Sequence, residues 1–578
     1  MNAIKFSMSA FLLAICGTGC STENPSTGGS GGTAPAAGGS SGNAGTSTGG
    51  SSAGGVSGSG TGGATSTLGG STSAAGASNG GATSTGGATT AKGGTTGTAG
   101  AAGSASGGTT PTAGTTAAGG SSAGSGGSGG LPAAVDLPQV VTSAEGAFWK
   151  TGTYTEVTSG NADVTVNDGS PAQTWDYFGG SFNERGWQHL MSLSQEDRDL
   201  AMKLLFGQDG ARFNSGRIPI GASDYAIDPY SLNETKGDNA MANFSIAQDK
   251  KFLIPYIKAA LAVNPNILLW ASPWTPPSWM KSNNNLSGGN MKEDDTTLEA
   301  YALYLTKFVQ EYAKEGIKIS AIHPQNEPGF AQGYPSCLWS AGGMATFIGK
   351  WLGPKFEKDV PDTKIFLGTM SASGDSAIVS KVTGDATAMK YVDGFGLQWN
   401  MMSAVGGLKS RNMSIWQTEH KCGNYPFTVS GAPAFRSDKA PNDFAYAIES
   451  WGYIRDWIKA GSTAYAAWNM VLDPVGVGND KTRNWPQNAL IIADPASKKL
   501  TPTPTYYVFR HASQFVETGA KVVGASGGDT LAFKNPNGSI VAVMYNSGAA
   551  KKAIVSMGGK KLQFDMPNRG WSTVYLKP

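Results

Sequence analysis

KISAIHPQNEPGF, Lys318 to Phe330, begins as a strand and ends on an acid. Apolar residues alternate through Ile322, and Pro324, Asn326 and Pro328 then break the run. Glu327 is left between an amide and a proline, just where the strand stops. Taken alone, the stretch is an ordinary turn with a surface carboxylate. Its meaning comes from seven other runs built the same way.

Those runs are TWDYFGGSFN (Thr174 to Asn183), RFNSGRIPIG (Arg212 to Gly221), NILLWASPW (Asn266 to Trp274) and KIFLGTMS (Lys364 to Ser371). VDGFGLQWN (Val392 to Asn400), MSIWQTEH (Met413 to His420) and STAYAAWNM (Ser462 to Met470) complete the set. Amphipathic helices separate several of them. SQEDRDLAMKLLF has Ser194 as its N-cap, with Leu200, Leu204 and Leu205 expected on one face. Thr296 to Gly316 places Leu298, Tyr301, Leu305, Phe308 and Tyr312 at helical spacing, and Gly316 suits the C-terminal cap. Asn442 to Gly461 repeats the pattern with Phe444, Ile448, Trp451, Ile454 and Ile458. Eight strands alternating with helices predict an α/β fold, a (β/α)8 TIM barrel, over residues 173–515.

The flanks have a different texture. Residues 516–578 hold LAFKNPNGSIVAVMYNSG and GWSTVYLKP, short alternating runs joined by Asn-Gly and Gly-rich turns. Residues 135–172, with GAFWKTGTYTEV and NADVTVN, read alike. We expect both ends of the folded region to build one side β-sandwich. Residues 21–134 are almost wholly Gly, Ser, Thr and Ala, a composition that buries too little apolar area to offset ordering, so they read as a linker. About 110 such residues span roughly 60 Å as a flexible coil. Residues 1–20 carry Lys5, the apolar run MSAFLLAIC and then GTGC, which resembles a bacterial lipoprotein signal with Cys20 as the lipidated residue. The expectation is an exported protein, secreted or anchored at the cell surface through Cys20.

The formal charge of +2, from 43 basic and 41 acidic residues, gives no electrostatic case for nucleic acid or an anionic membrane surface. No stretch beyond residue 20 is long and apolar enough to span a bilayer. Neither a phosphate-binding Gly-rich loop nor zinc-ligand spacing is present, so no metal or cofactor is expected. A monomer is expected. Cys337 and Cys422 are the pair left after the signal, and in an oxidising compartment they are candidates for a disulfide.

Reacting groups of such barrels sit at the C-terminal ends of strands. Glu327 ends the fourth predicted strand and Glu419 the seventh. Two carboxyls facing each other across a barrel mouth are the equipment of glycosidic bond cleavage, one protonated to serve the leaving oxygen and one ionised to attack. A third group must decide which stays charged. Arg217, at the end of the second strand, is placed to hold Glu419 ionised. Trp274, Trp399 and Trp468 end the third, sixth and eighth strands and offer apolar faces to sugar rings. Asn326 can donate to a sugar hydroxyl and Asp224 can accept from one. His323 and His420 flank the two glutamates as candidate orienting groups, against a structural role.

With YFGGSFNERG, FNSGRIPIGASDYAIDPYSL, LLWASPWTPPSWMK, NEP, WQTEH and AAWNMVLD in order, the chain resembles glycoside hydrolase family 30 from about Thr174 to Pro578. The resemblance implies a barrel with a side sandwich, Glu327 as acid/base and Glu419 as nucleophile. It further implies substrate contacts at Arg217, Asp224, Trp274 and Trp468, with Asn326 near the sugar 2-hydroxyl. Gln398 stands before Trp399 where glucosylceramidase-like members carry His, and a long loop holding Cys422 follows Glu419. The implied activity is retaining hydrolysis of β-linked glycans, β-1,6-glucan or galactan among them. A glucosylceramidase-type exo-β-glucosidase is the alternative. A surface glycan-binding protein without turnover is the reading from another class.

Overall fold

The computed structural model describes residues 136–372, 374–422, 442–480 and 485–578. The export signal with Cys20, the linker 21–134 and most of the long loop after Glu419 lie outside the described residues.

Eight parallel strands close into a barrel in strict sequence order. They are Tyr177–Ser181, Ser215–Ile220, Leu268–Pro273, Ile319–Ile322, Lys364–Met370, Gly394–Leu397, Ser414–Gln417 and Ala464–Asn469, called here barrel strands one to eight. The eighth pairs with the first, Ala464 opposite Tyr177, which closes the ring. The first strand starts later than the sequence pattern predicts, because Val164–Thr174 continues as a strand of the side sheet.

Helices form where local chemistry starts and stops them. Ser194 caps its helix by accepting from the Asp197 amide; Leu205 is buried as predicted, yet Leu200 is 46 % exposed, and Ala201, Met202 and Phe206 complete the buried face. The apolar stripe is rotated by about one residue from the predicted one, which is the shift expected where side chains lean towards the helix N-terminus. Asp295–Lys314 is capped by Asp294, buries all five predicted residues, and ends at Gly316, whose φ of +78° is one that glycine adopts without steric cost.

The side domain is a ten-stranded sheet drawing on both ends of the described chain. Val140–Ala144 pairs with Gly570–Leu576, and Val164–Thr174 pairs with Lys521–Ser526. Its core includes Val140, Val166, Val523, Ala542, Val555 and Phe564. One element was not foreseen: Val471–Leu472, Ile491–Asp494 and Lys499–Pro502 form a small three-stranded sheet after barrel strand eight.

Aromatics plug the lower barrel. Tyr177, Trp270, Phe366 and Trp416 pack together there, with Phe366 stacked on Trp416 at 3.8 Å between ring centroids. His323 packs against Trp270 and Phe366, and neither ring nitrogen has a partner among the described residues. Burial holds it far below the usual imidazole range and so neutral. His420 bonds Tyr465 and Ser450 through its two nitrogens. Both histidines are core residues; no described contact joins either to the glutamate carboxyls.

The expected disulfide is not formed. Cys337 and Cys422 are both buried free thiols. They belong to different packing clusters, Cys337 to the main core and Cys422 to the aromatic group around Trp468, where its thiol donates to Gln487 at 3.3 Å.

Candidate active site

Side chains of a strand alternate, so residues two apart share a face. In barrel strand three this places Trp270 in the lower plug, Ser272 above it, and Trp274 just past the strand end. Arg217 of strand two lies across this stack. It is fully buried, and its partners account for its charge: Glu419 Oε2 at 2.6 Å, Asn326 Oδ1 at 2.7 Å and Ser272 Oγ at 3.1 Å. Its guanidinium also sits 4.4 Å from the Trp274 ring and 5.4 Å from that of Trp468, which stack on each other. Burial lowers the proton affinity of the guanidinium and Glu419 offsets this. A buried charge needs such a set of partners.

Glu419 follows strand seven. Besides Arg217 it accepts from Trp399 Nε1 at 2.8 Å, so both carboxylate oxygens are held. Trp399 reaches it from a left-handed backbone, φ +48°. Glu327 has the same φ of +48°. Each such residue costs on the order of 1 kcal/mol or more, tolerated where surroundings over-determine the conformation. Here the Glu327 amide donates to Thr369 and its carbonyl accepts from Phe330, while Asn326 donates to Pro273, so the turn is tied to strands three and five.

Among the described residues Glu327 meets no cation. Gln398 Nε2 lies 3.4 Å from its carboxyl and Ser371 also bonds it. Burial, then the charges of Glu419 and Asp375, push it up to about 8. Asp224 is also buried, and burial together with Glu419 and Glu327 raises it well above the carboxylate range. Among the described residues its Oδ1 has no hydrogen-bond partner.

The structure therefore gathers Arg217, Asp224, Trp274, Asn326, Glu327, Trp399, Glu419 and Trp468 at the strand ends of one barrel face. Sequence reasoning missed Ser272, Thr369 and Asp375. Ser272 was legible as the residue two before Trp274. Thr369 Oγ1, which donates to Asn326 at 2.7 Å, had no signal. Asp375 reads as a turn residue, and it does bind the Ser371 and Ala372 amides, but it also faces Glu327 electrostatically.

One carboxylate locked by a guanidinium and one carboxyl kept protonated, at the strand ends of a TIM barrel, are the equipment of a glycoside hydrolase. Residues 176–516 match the glycosyl hydrolase family 30 TIM-barrel domain and residues 519–574 the family's beta sandwich domain, so the chain belongs to glycoside hydrolase family 30. It is 28% identical to the lysosomal acid glucosylceramidase of Mus musculus, covering 64% of this chain and 74% of that one. It is 24% identical to an endo-1,6-beta-D-glucanase of Neurospora crassa, covering 71% and 85%. The solved structure of the endo-beta1,6-glucanase BT3312 aligns with a TM-score of 0.67 at 23% identity, over 76% of this chain and 99% of that one, which is a likeness of fold.

Proposed function

We propose that the protein is an exported retaining β-glycosidase acting on β-linked glycans outside the cell, β-1,6-glucan or galactan foremost. Glu419 attacks the anomeric carbon while Glu327 gives its proton to the leaving oxygen, and the glycosidic C–O bond breaks. Glu327, now ionised, takes a proton from water, whose oxygen displaces Glu419 and releases the sugar. The observation that carries the assignment is the inequality of the two acids: Glu419 paired with Arg217 at 2.6 Å, Glu327 without a cation among the described residues and pushed up to about 8. Trp274, Trp399, Trp468, Asn326 and Asp224 are the proposed sugar contacts.

The glucanase relative and the signal-plus-linker sequence favour a polymer. The glucosylceramidase relative supports a second reading, an exo-acting β-glucosidase. Residues 1–20 are proposed to direct export with lipidation at Cys20, and the enzyme to act as a monomer.

Glu327→Gln and Glu419→Gln are expected to lose most turnover on β-linked glycans. A 2-deoxy-2-fluoro glycosyl fluoride should leave a covalent adduct on Glu419, read by peptide mass spectrometry. Near-wild-type rates in either variant end this assignment, and product sizing separates the polymer-cleaving reading from the exo-acting one.

A further inference from the structure

Behind the sugar-binding face runs a chain of amides whose polarity is set at one end. A backbone N–H only donates, and that of Gly186 donates to Asn183 Oδ1 at 2.7 Å as the cap of its helix. The Asn183 Nδ2 group is thereby turned to Asn469 Oδ1, at 3.0 Å. Asn469 Nδ2 in turn donates to Gln487 Oε1 at 3.2 Å. The Cys422 thiol, kept protonated by burial, donates to the same oxygen at 3.3 Å. Both lone pairs of that oxygen are used. A flipped Gln487 amide would set N–H groups against two donors, so the chain excludes it.

The Gln487 Nε2 group is thus turned away from the chain. Gln487 and Asp224 line one cavity, with Tyr225, Tyr334 and Trp485. Both are more than nine-tenths buried, and Asp224 Oδ1 is an unpartnered acceptor. An amide donor turned from its chain and an unpartnered acceptor, on two residues lining one cavity, fit a group that both accepts and donates, and a sugar hydroxyl is such a group.

We propose that Gln487 is a specificity-determining residue, whose amide N–H2, oriented by Asn183, Asn469 and Cys422, reads a hydroxyl of the same sugar that Asp224 holds. The inference rests on the glycosidase reading above and adds the residue that selects the sugar. Sugars lacking that hydroxyl leave the buried Asp224 Oδ1 unpaired.

The test compares wild type, Gln487→Leu, Asn469→Asp and the double variant, after thermal melts establish folding. The substrates are 4-nitrophenyl β-D-gluco- and galactopyranosides, their monodeoxy derivatives, and β-1,6-glucan. Gln487→Leu is expected to lower kcat/KM about tenfold or more on the parent sugar. One monodeoxy substrate should show no loss. Asn469→Asp sets a carboxylate against Gln487 Oε1 and turns the amide over, so it should mimic Gln487→Leu, with no further fall in the double variant. If Asn469→Asp does not fold, the deoxy series decides alone. Gln487→Leu activity within twofold of wild type, or an equal loss across every deoxy sugar, overturns the inference while the glycosidase reading stands. Wild type that cleaves none of these substrates overturns both.

Discussion

Replacing Glu419 with Gln removes a negative charge facing Glu327, and the proton affinity of Glu327 should fall. In the intact site Glu327 rises from the ordinary 4.5 to about 8. That displacement corresponds to about 5 kcal/mol of preference for the neutral acid. Burial is its largest cause, ahead of Glu419 and Asp375. In Glu419→Gln the midpoint should therefore drop only part of the way and stay above 4.5. Carboxyl-labelled NMR titration of both proteins reads this directly. In the active enzyme kcat/KM, which reports the free protein, should fall as pH rises through about 8. Stability follows the same group. The contribution of the neutral carboxyl is complete below about pH 4.5 and is lost as pH climbs to about 8. At pH 7 that loss is about 3 kcal/mol, so Glu327→Gln should melt higher than wild type there and converge with it near pH 4.5. A wild-type Glu327 titrating near 4.5, or a kcat/KM level through about pH 10, would refute the reasoning.

Arg217→Met leaves the buried Glu419 carboxylate with no cation among the described residues, and should cost about 3–5 kcal/mol in denaturant unfolding as well as turnover. Trp399→Phe keeps an aromatic ring, though a smaller one, and removes the N–H bonded to Glu419 Oε1; a loss of about 1.5–3 kcal/mol in transition-state stabilisation, seen in kcat/KM, is expected. Because Cys337 and Cys422 are unpaired, adding reductant should leave Tm unchanged, and a drop would show a disulfide after all.

The barrel was legible because each strand ends on its own breaker, and a carboxylate before a breaker, as at Glu327, marks a strand end that faces the mouth. Glu419, Arg217 and the three tryptophans followed by the same logic. What failed did so for physical reasons. Leu200 satisfied helical spacing, but the neighbouring Ala201 and Met202 met the core. Cys337 and Cys422 satisfied the arithmetic of pairing, yet pairing is set by three-dimensional distance, and each thiol is enclosed in a separate cluster. Asp375 and Gln487 gave no signal, since their importance lies in which groups face them across loops, and no sequence period encodes that.

The side sheet carries a consequence for assembly. Gly570–Leu576, the final strand, is seated between Val140–Ala144 and Ile540–Asn546. Val140–Ala144 pairs on one side with the nearby Ala147–Gly152, but its other side is filled only by Gly570–Leu576 from far along the chain, and closing so wide a loop is slow. Until Gly570–Leu576 docks, that side of Val140–Ala144 has no partner strand, and removing this one strand would expose an open edge to other molecules.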